Sequence, residues 1–147
     1  MDEKEKETIN SEVCAGSCLC GEVSYQYSGS LRQFIMCHCN QCKRASGTAF
    51  TSNVIANSEG IKWEGKDLIR EFESSPGKFR GFCQLCGSSM YSRRTNLPTQ
   101  VRLRVGTMSS FPYNLKPIAH IFCSDIASWE TIPDAGLLHY LGIEDGR

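Results

Sequence analysis

Polar and apolar residues alternate along much of the chain with a period of two, the pattern of a β-strand that buries one face. Residues 22–27 (E-V-S-Y-Q-Y) follow it, and residues 101–105 (V-R-L-R-V) alternate strictly, placing Arg102 and Arg104 on one face. Residues 68–73 are strand-like too, and Pro76-Gly77 then marks a turn. Residues 49–56 form a short apolar run rich in β-formers, while residues 78–82 and 89–92 flank a pair of cysteines. Residues 120–123 predict one more short strand. Helix signals are confined to a turn near residues 40–45 and a segment around residues 135–141. Many short strands divided by Gly, Pro and Ser predict a mainly β fold.

The first residues do not fit this pattern. Residues 1–12 hold five acidic and two basic side chains and almost nothing apolar, so a disordered acidic tail is expected ahead of a single domain at 13–147. The chain has 147 residues and a formal net charge of zero, so the tail's −3 leaves +3 on the body. A mildly cationic body is compatible with a small anionic ligand. A basic stripe with interleaved aromatics is lacking, which argues against nucleic acid. No stretch approaches the roughly 20 apolar residues that span a bilayer, and no membrane partner is expected. The opening residues lack the basic-then-apolar order of a secretory signal, so a cytoplasmic location is expected.

In a reducing compartment, nine cysteines change the reading. Clustered thiols there more often bind metal than one another, and an odd number fits a disulfide framework poorly. Cys83-Gln84-Leu85-Cys86-Gly87 is a tight knuckle, and Cys18-Leu19-Cys20-Gly21 ends the same way. Glycine suits both ends, because such turns need a positive φ. Structural zinc takes four ligands in a tetrahedron, and Cys18, Cys20, Cys83 and Cys86 make one such set. Free buried thiols and a redox C-x-x-C pair are the other readings, the latter without a surrounding β-α-β pattern.

Met36-Cys37-His38-Cys39-Asn40-Gln41-Cys42 then holds three thiols with no fourth. His38 sits between two of them and, in extended backbone, points away. A three-thiolate zinc with an exchangeable fourth position is the architecture of a reactive site. Three thiolates leave the metal electron-rich, suited to holding an incoming thiol as thiolate.

Taken together, S-C-L-C-G-E-V (17–23), C-H-C-N-Q-C-K-R-A-S-G (37–47) and F-C-Q-L-C-G (82–87) resemble the glutathione-dependent formaldehyde-activating enzyme family, which includes centromere-protein-V-like proteins. V-G-T-M (105–108) and H-I-F-C-S-D-I-A-S-W-E-T-I-P-D (120–134) resemble that family's C-terminal segment. The resemblance implies the Mss4-like fold, small β-sheets braced by structural zinc. It further implies a carbon–sulfur lyase-type activity: reversible addition of a thiol, typically glutathione, to formaldehyde. Carried over residue by residue, Cys18, Cys20, Cys83 and Cys86 match the structural ligands, and Cys37, Cys39 and Cys42 the catalytic ones. Two zincs per chain follow. Lys43 stands where the family commonly has Arg, and Cys123 where it is usually apolar.

Lys43, Arg44, Lys78, Arg80, Arg93, Arg94, Arg102 and Arg104 are candidate partners for a substrate carboxylate, and Arg44, two residues after Cys42, has the best case. Trp129 and Phe122 are expected in the core. His120 and Asp134 are expected to make structural hydrogen bonds. Cys14 is expected to be a spare thiol in the mobile N-terminal region, and Cys123 an inert buried one. The expected activity is zinc-dependent addition of a small, glutathione-like thiol to an aldehyde such as formaldehyde, or its reverse. The competing readings are a zinc module that binds protein and, from the H-x-x-C-x-D stretch, a methionine sulfoxide reductase B-like enzyme. Oligomeric state is left open.

Overall fold

The computed structural model describes residues 13–110, 112, 114–132 and 136–142. In chain order the strands are β1 (Cys14–Ser17), β2 (Ser24–Tyr27), β3 (Arg32–Cys37), β4 (Thr51–Asn57), β5 (Ile61–Glu64), β6 (Ile69–Ser75), β7 (Lys78–Cys83), β8 (Ser89–Arg94), β9 (Gln100–Arg104), β10 (Met108–Ser110), β11 (Ala119–Ile121) and β12 (Leu138–His139). One α-helix, α1 (Asn40–Ser46), follows β3, and short 3-10 turns link several strands. The mainly β expectation holds. Four strands form an antiparallel sheet ordered β10-β1-β2-β5, and eight form a second sheet ordered β12-β11-β3-β4-β9-β8-β7-β6. The second is antiparallel except where β11 lies parallel to β3 and to β12.

The larger sheet has two chemically distinct faces, because cross-strand partners project to the same side. Val54 pairs with Leu103 and Ala56 with Val101, and these four enter the main core with Tyr25, Tyr27 and Met90. On the opposite face Asn53 pairs with Arg104, Ile55 with Arg102, Arg102 with Ser92, Ser92 with Arg80, and Arg94 with Lys78. Cys37 and Ile35 reach this face from β3, opposite Thr51 and Asn53. Ile35 and Cys37 join Cys42, Ala119 and Ile121 in a second apolar cluster. The alternation read in residues 101–105 therefore separates a hydrocarbon face from a basic one, both buried.

Glycine is needed where aromatic rings cross the strands. A Cβ on Gly81 would lie 2.4 Å from the Tyr91 ring. Without it, the ring lies across β7 and its phenol donates to Glu71 Oε2 at 3.0 Å.

Several expectations are corrected. The segment after Gly136 is not helical: Leu138 and His139 extend beside β11, where backbone bonds from Leu138 and Tyr140 reach Ile118 and His120. Cys14 is not in a mobile segment but fully buried in β1, held by the register of Cys14 against Tyr27. Trp129 is 73% exposed, because the chain turns away from the sheet after β11. Phe122 is half-buried against the second cluster. Strands β1, β3, β5, β10 and β12 are additional to those expected. The tail at 1–12 and Asp134 lie outside the described residues.

Candidate metal centres

The first thiol cluster joins two turns distant in sequence. Cys18 and Cys20 sit in the turn after β1, and Cys83 and Cys86 in the turn from β7 to β8. Gly21 (φ 83°) and Gly87 (φ 78°) adopt the left-handed backbone that these turns require. Their amides close each turn, Gly21 N–H on Cys18 O and Gly87 N–H on Cys83 O. Ser88 staples the knuckles together: its hydroxyl accepts from Leu19 N–H at 2.9 Å and lies 3.2 Å from Cys86 Sγ. All four sulfurs lie within 4.8 Å of one another. Cys18 to Cys20 is 3.5 Å and Cys20 to Cys83 is 3.9 Å. A tetrahedron with Zn–S bonds of about 2.3 Å has S···S edges of about 3.8 Å, so this set fits zinc. Val23 N–H donates to Cys18 Sγ, the kind of support a thiolate needs.

The second cluster holds Cys37 at the end of β3 and Cys39 and Cys42 at the start of α1. Cys39 caps the helix, its sulfur accepting from Cys42 N–H at 3.3 Å. Gly47 (φ 68°) ends the helix with a bond to Lys43 O, so a seven-residue helix fixes two thiols beside a third. The three sulfurs lie within 4.8 Å of one another, and no His, Asp or Glu of the described residues joins them. Hydrogen bonds from the Cys37 and Cys39 thiols hold the Cys42 thiol well below the usual range, with Thr51 and the Arg80 charge adding to the effect. Three convergent thiols, one of them favouring the thiolate, suit a soft divalent metal and leave one tetrahedral position to a further ligand.

His38, expected to point away from the thiols, is directed to His120. His38 is fully buried, with Nε2 2.9 Å from Nδ1 of His120. Burial, and then the neighbouring His120, Lys43 and His139, push the His38 imidazole down to about 4, so it is neutral near pH 7. His120 makes the structural hydrogen bond expected of it. Arg44 is exposed on α1, and Lys43 bonds Asp125 O. The guanidinium that reaches the thiols is that of Arg80 on β7, 6% exposed, with Nη1 3.6 Å from Cys42 Sγ. Its Nε donates to Ser74 Oγ and its Nη2 to Gln41 Oε1. Cys123 is half-buried, with its amide on Tyr140 O.

A narrow cavity of ≈ 20 Å³ opens beside Cys37 and Cys42, lined among others by Lys78, Arg94, Arg102 and Arg104. No Asp or Glu of the described residues lines it. The signal for this basic wall is present in the sequence as alternation: Lys78 and Arg80, Arg94, and Arg102 and Arg104 fall on like-facing positions of three strands. Only strand order reveals that β7, β8 and β9 are adjacent.

The fold and sites define a mainly β protein with two separate thiol clusters able to hold metal ions. Residues 13–125 match the glutathione-dependent formaldehyde-activating enzyme family, and the chain belongs to that family. The fold is similar to the crystal structure of a Rhodobacter sphaeroides protein from a structural genomics programme, with a TM-score of 0.54 at 17% identity, covering 86% of this chain and 98% of that one. No curated protein gives a significant match to the chain. Among the described residues, no helix is long and apolar enough to cross a membrane.

Proposed function

We propose that this protein catalyses the reversible addition of a small, glutathione-like thiol to an aldehyde such as formaldehyde, at Cys37, Cys39 and Cys42. The observation that carries the reading is the contrast between the clusters: four thiols make a closed set, whereas three gather with His38 turned away to His120. Zinc bound by the three would supply a soft, positively charged position that favours a fourth, thiolate ligand. Zinc at Cys18, Cys20, Cys83 and Cys86 would brace the two knuckles.

The chain's own residues set the conditions around that position. Arg80 offsets the negative charge of the thiols and fixes Cys42 through an N–H···S contact. Buried neutral His38 packs against Phe50 and His120, so it adds no charge beside the cluster. In the reaction the thiol sulfur bonds to the carbonyl carbon and the thiol proton ends on the carbonyl oxygen. No oxidant or reductant is consumed. The class is carbon–sulfur lyase, read in the direction of adduct cleavage. Nine free cysteines suit a reducing cytoplasm, where glutathione is the abundant thiol.

The test is a titration of the cobalt-substituted protein with glutathione, followed by metal–thiolate absorbance. A saturable change that is lost in Cys42→Ser is expected. No change at millimolar glutathione overturns the reading and favours a non-enzymatic metal module.

A further inference from the structure

The basic wall beside the thiols exceeds what the thiols themselves require. If three thiolates hold a divalent ion, one negative charge remains, and Arg80 already faces it through Cys42. Lys78 and Arg94 sit opposite one another on β7 and β8 and line the same cavity as Cys37 and Cys42. Neither has a carboxylate within salt-bridge distance among the described residues. Both are half-buried, and partly withdrawing a cation from water is costly unless an anion meets it.

The size of the space selects the anion. At ≈ 20 Å³ the cavity accepts one water-sized polar group. The cavity borders Cys37 and Cys42 directly, so the carboxylate that suits it is one held close to the cluster rather than at the end of a long peptide arm. We propose, building on the thiol–aldehyde reading above, that one of the two reactants carries a carboxyl carbon within three bonds of the atom that reacts, and that Lys78 and Arg94 seat it beside Cys37 and Cys42. The carboxylate belongs either to a short mercapto acid or to a 2-oxo acid of the glyoxylate kind. It is unchanged in the reaction, in which the C–S bond forms and the thiol proton passes to the carbonyl oxygen. A bidentate contact from Arg94 would orient it, with Lys78 as a point charge.

Two arms distinguish the sources. The cobalt-substituted full chain is titrated with 3-mercaptopropionate, 2-mercaptoethanol and 2-aminoethanethiol, which differ only in the terminal group. In the second arm, glyoxylate and formaldehyde are compared as substrates with 2-mercaptoethanol as the thiol. A preference of at least about tenfold for the carboxylate member is expected in one arm. It is expected to fall to within about twofold in Lys78→Gln and in Arg94→Gln. Equal response to charged and neutral members in both arms overturns the proposal while leaving the thiol–aldehyde reading intact, as does a preference that survives both substitutions. If no thiol binds at all, that reading fails. The anion site is then decided by titrating glyoxylate against the Arg94 side-chain N–H resonance: a saturable shift supports it, and none overturns it. Circular dichroism checks both variants for folding.

Discussion

Arg80 Nη1 lies 3.6 Å from Cys42 Sγ, joining a buried guanidinium on β7 to a thiol on α1. The contact crosses 38 residues of sequence, and two further bonds from the same guanidinium, to Ser74 and Gln41, hold it in place. Arg80 is thus a positioning group for the three-thiol cluster.

Replacing it tests that role. Arg80→Met removes all three donations while keeping much of the side-chain volume. Loss of an outer partner of a metal ligand typically costs about 10–100-fold in metal affinity. Competition with a chromogenic chelator is expected to show that loss for the weaker of two metal equivalents. Arg80→Lys keeps the charge but not the fork, and an intermediate value is expected. Unchanged metal affinity in Arg80→Met would remove Arg80 from the site.

The two clusters are expected to respond differently to loss of a ligand. Cys83 is fully buried, and its turn joins β7 to β8. Cys83→Ser should release one metal and lower the melting temperature steeply, since binding energy at a structural site is folding energy. Cys39→Ser, at a half-buried helix cap, should release the other metal while the fold persists. Metal analysis and thermal unfolding on the same samples decide this. Collapse of both variants would make the second cluster structural as well.

The thiol clusters were legible because ligand chemistry restricts spacing: C-x-C-G and C-x-x-C-G turns leave few options for where four sulfurs meet. Strands with one wet or polar face were legible for the same kind of reason, since alternation records the two faces. Strand β3 carries Phe34, Ile35, Met36 and Cys37 consecutively, so it has no alternation to read, although Ile35 and Phe34 serve different clusters. In a one-dimensional text Arg44, close after Cys42, stands ahead of Arg80. Only the register of β7 against β8 and β9 turns Arg80 inward, and only the pitch of α1 leaves Arg44 exposed. The burial of Cys14 likewise depends on a partner strand, through Tyr27, rather than on its own neighbourhood.

The histidine pair gives a stability test. His38 and His120 are 0% and 6% exposed, and His38 Nε2 finds its partner in His120 Nδ1. His120→Phe preserves a planar ring but leaves that nitrogen without its partner. A buried polar group stripped of its hydrogen bond costs about 1–3 kcal/mol. Urea unfolding of metal-loaded protein should register that loss, and His120→Gln, which keeps a polar terminus, should recover part of it. A neutral His120→Phe would mean that water replaces the bond.

A last expectation concerns acid. The Glu71 carboxylate accepts from Arg93 Nε at 2.6 Å and Nη2 at 2.8 Å, and from the Tyr91 hydroxyl at 3.0 Å. The Arg93 hydrogen bonds, against an opposing effect of burial, hold its carboxyl below the usual range. A carboxyl with a lowered folded pKa binds fewer protons folded than unfolded. Its stabilisation is therefore complete above the ordinary carboxylate range and is lost as pH falls through the folded value. Both side chains are partly solvated, at 36% and 25% exposure, so the pair contributes about 1 kcal/mol or less. Glu71→Gln keeps one acceptor oxygen and removes the charge and one of the two oxygens that accept from Arg93. Denaturant midpoints of the two proteins should differ at neutral pH and converge as the pH falls through the carboxylate range. A constant gap from neutral to strongly acidic pH would show that the Glu71 charge makes no contribution.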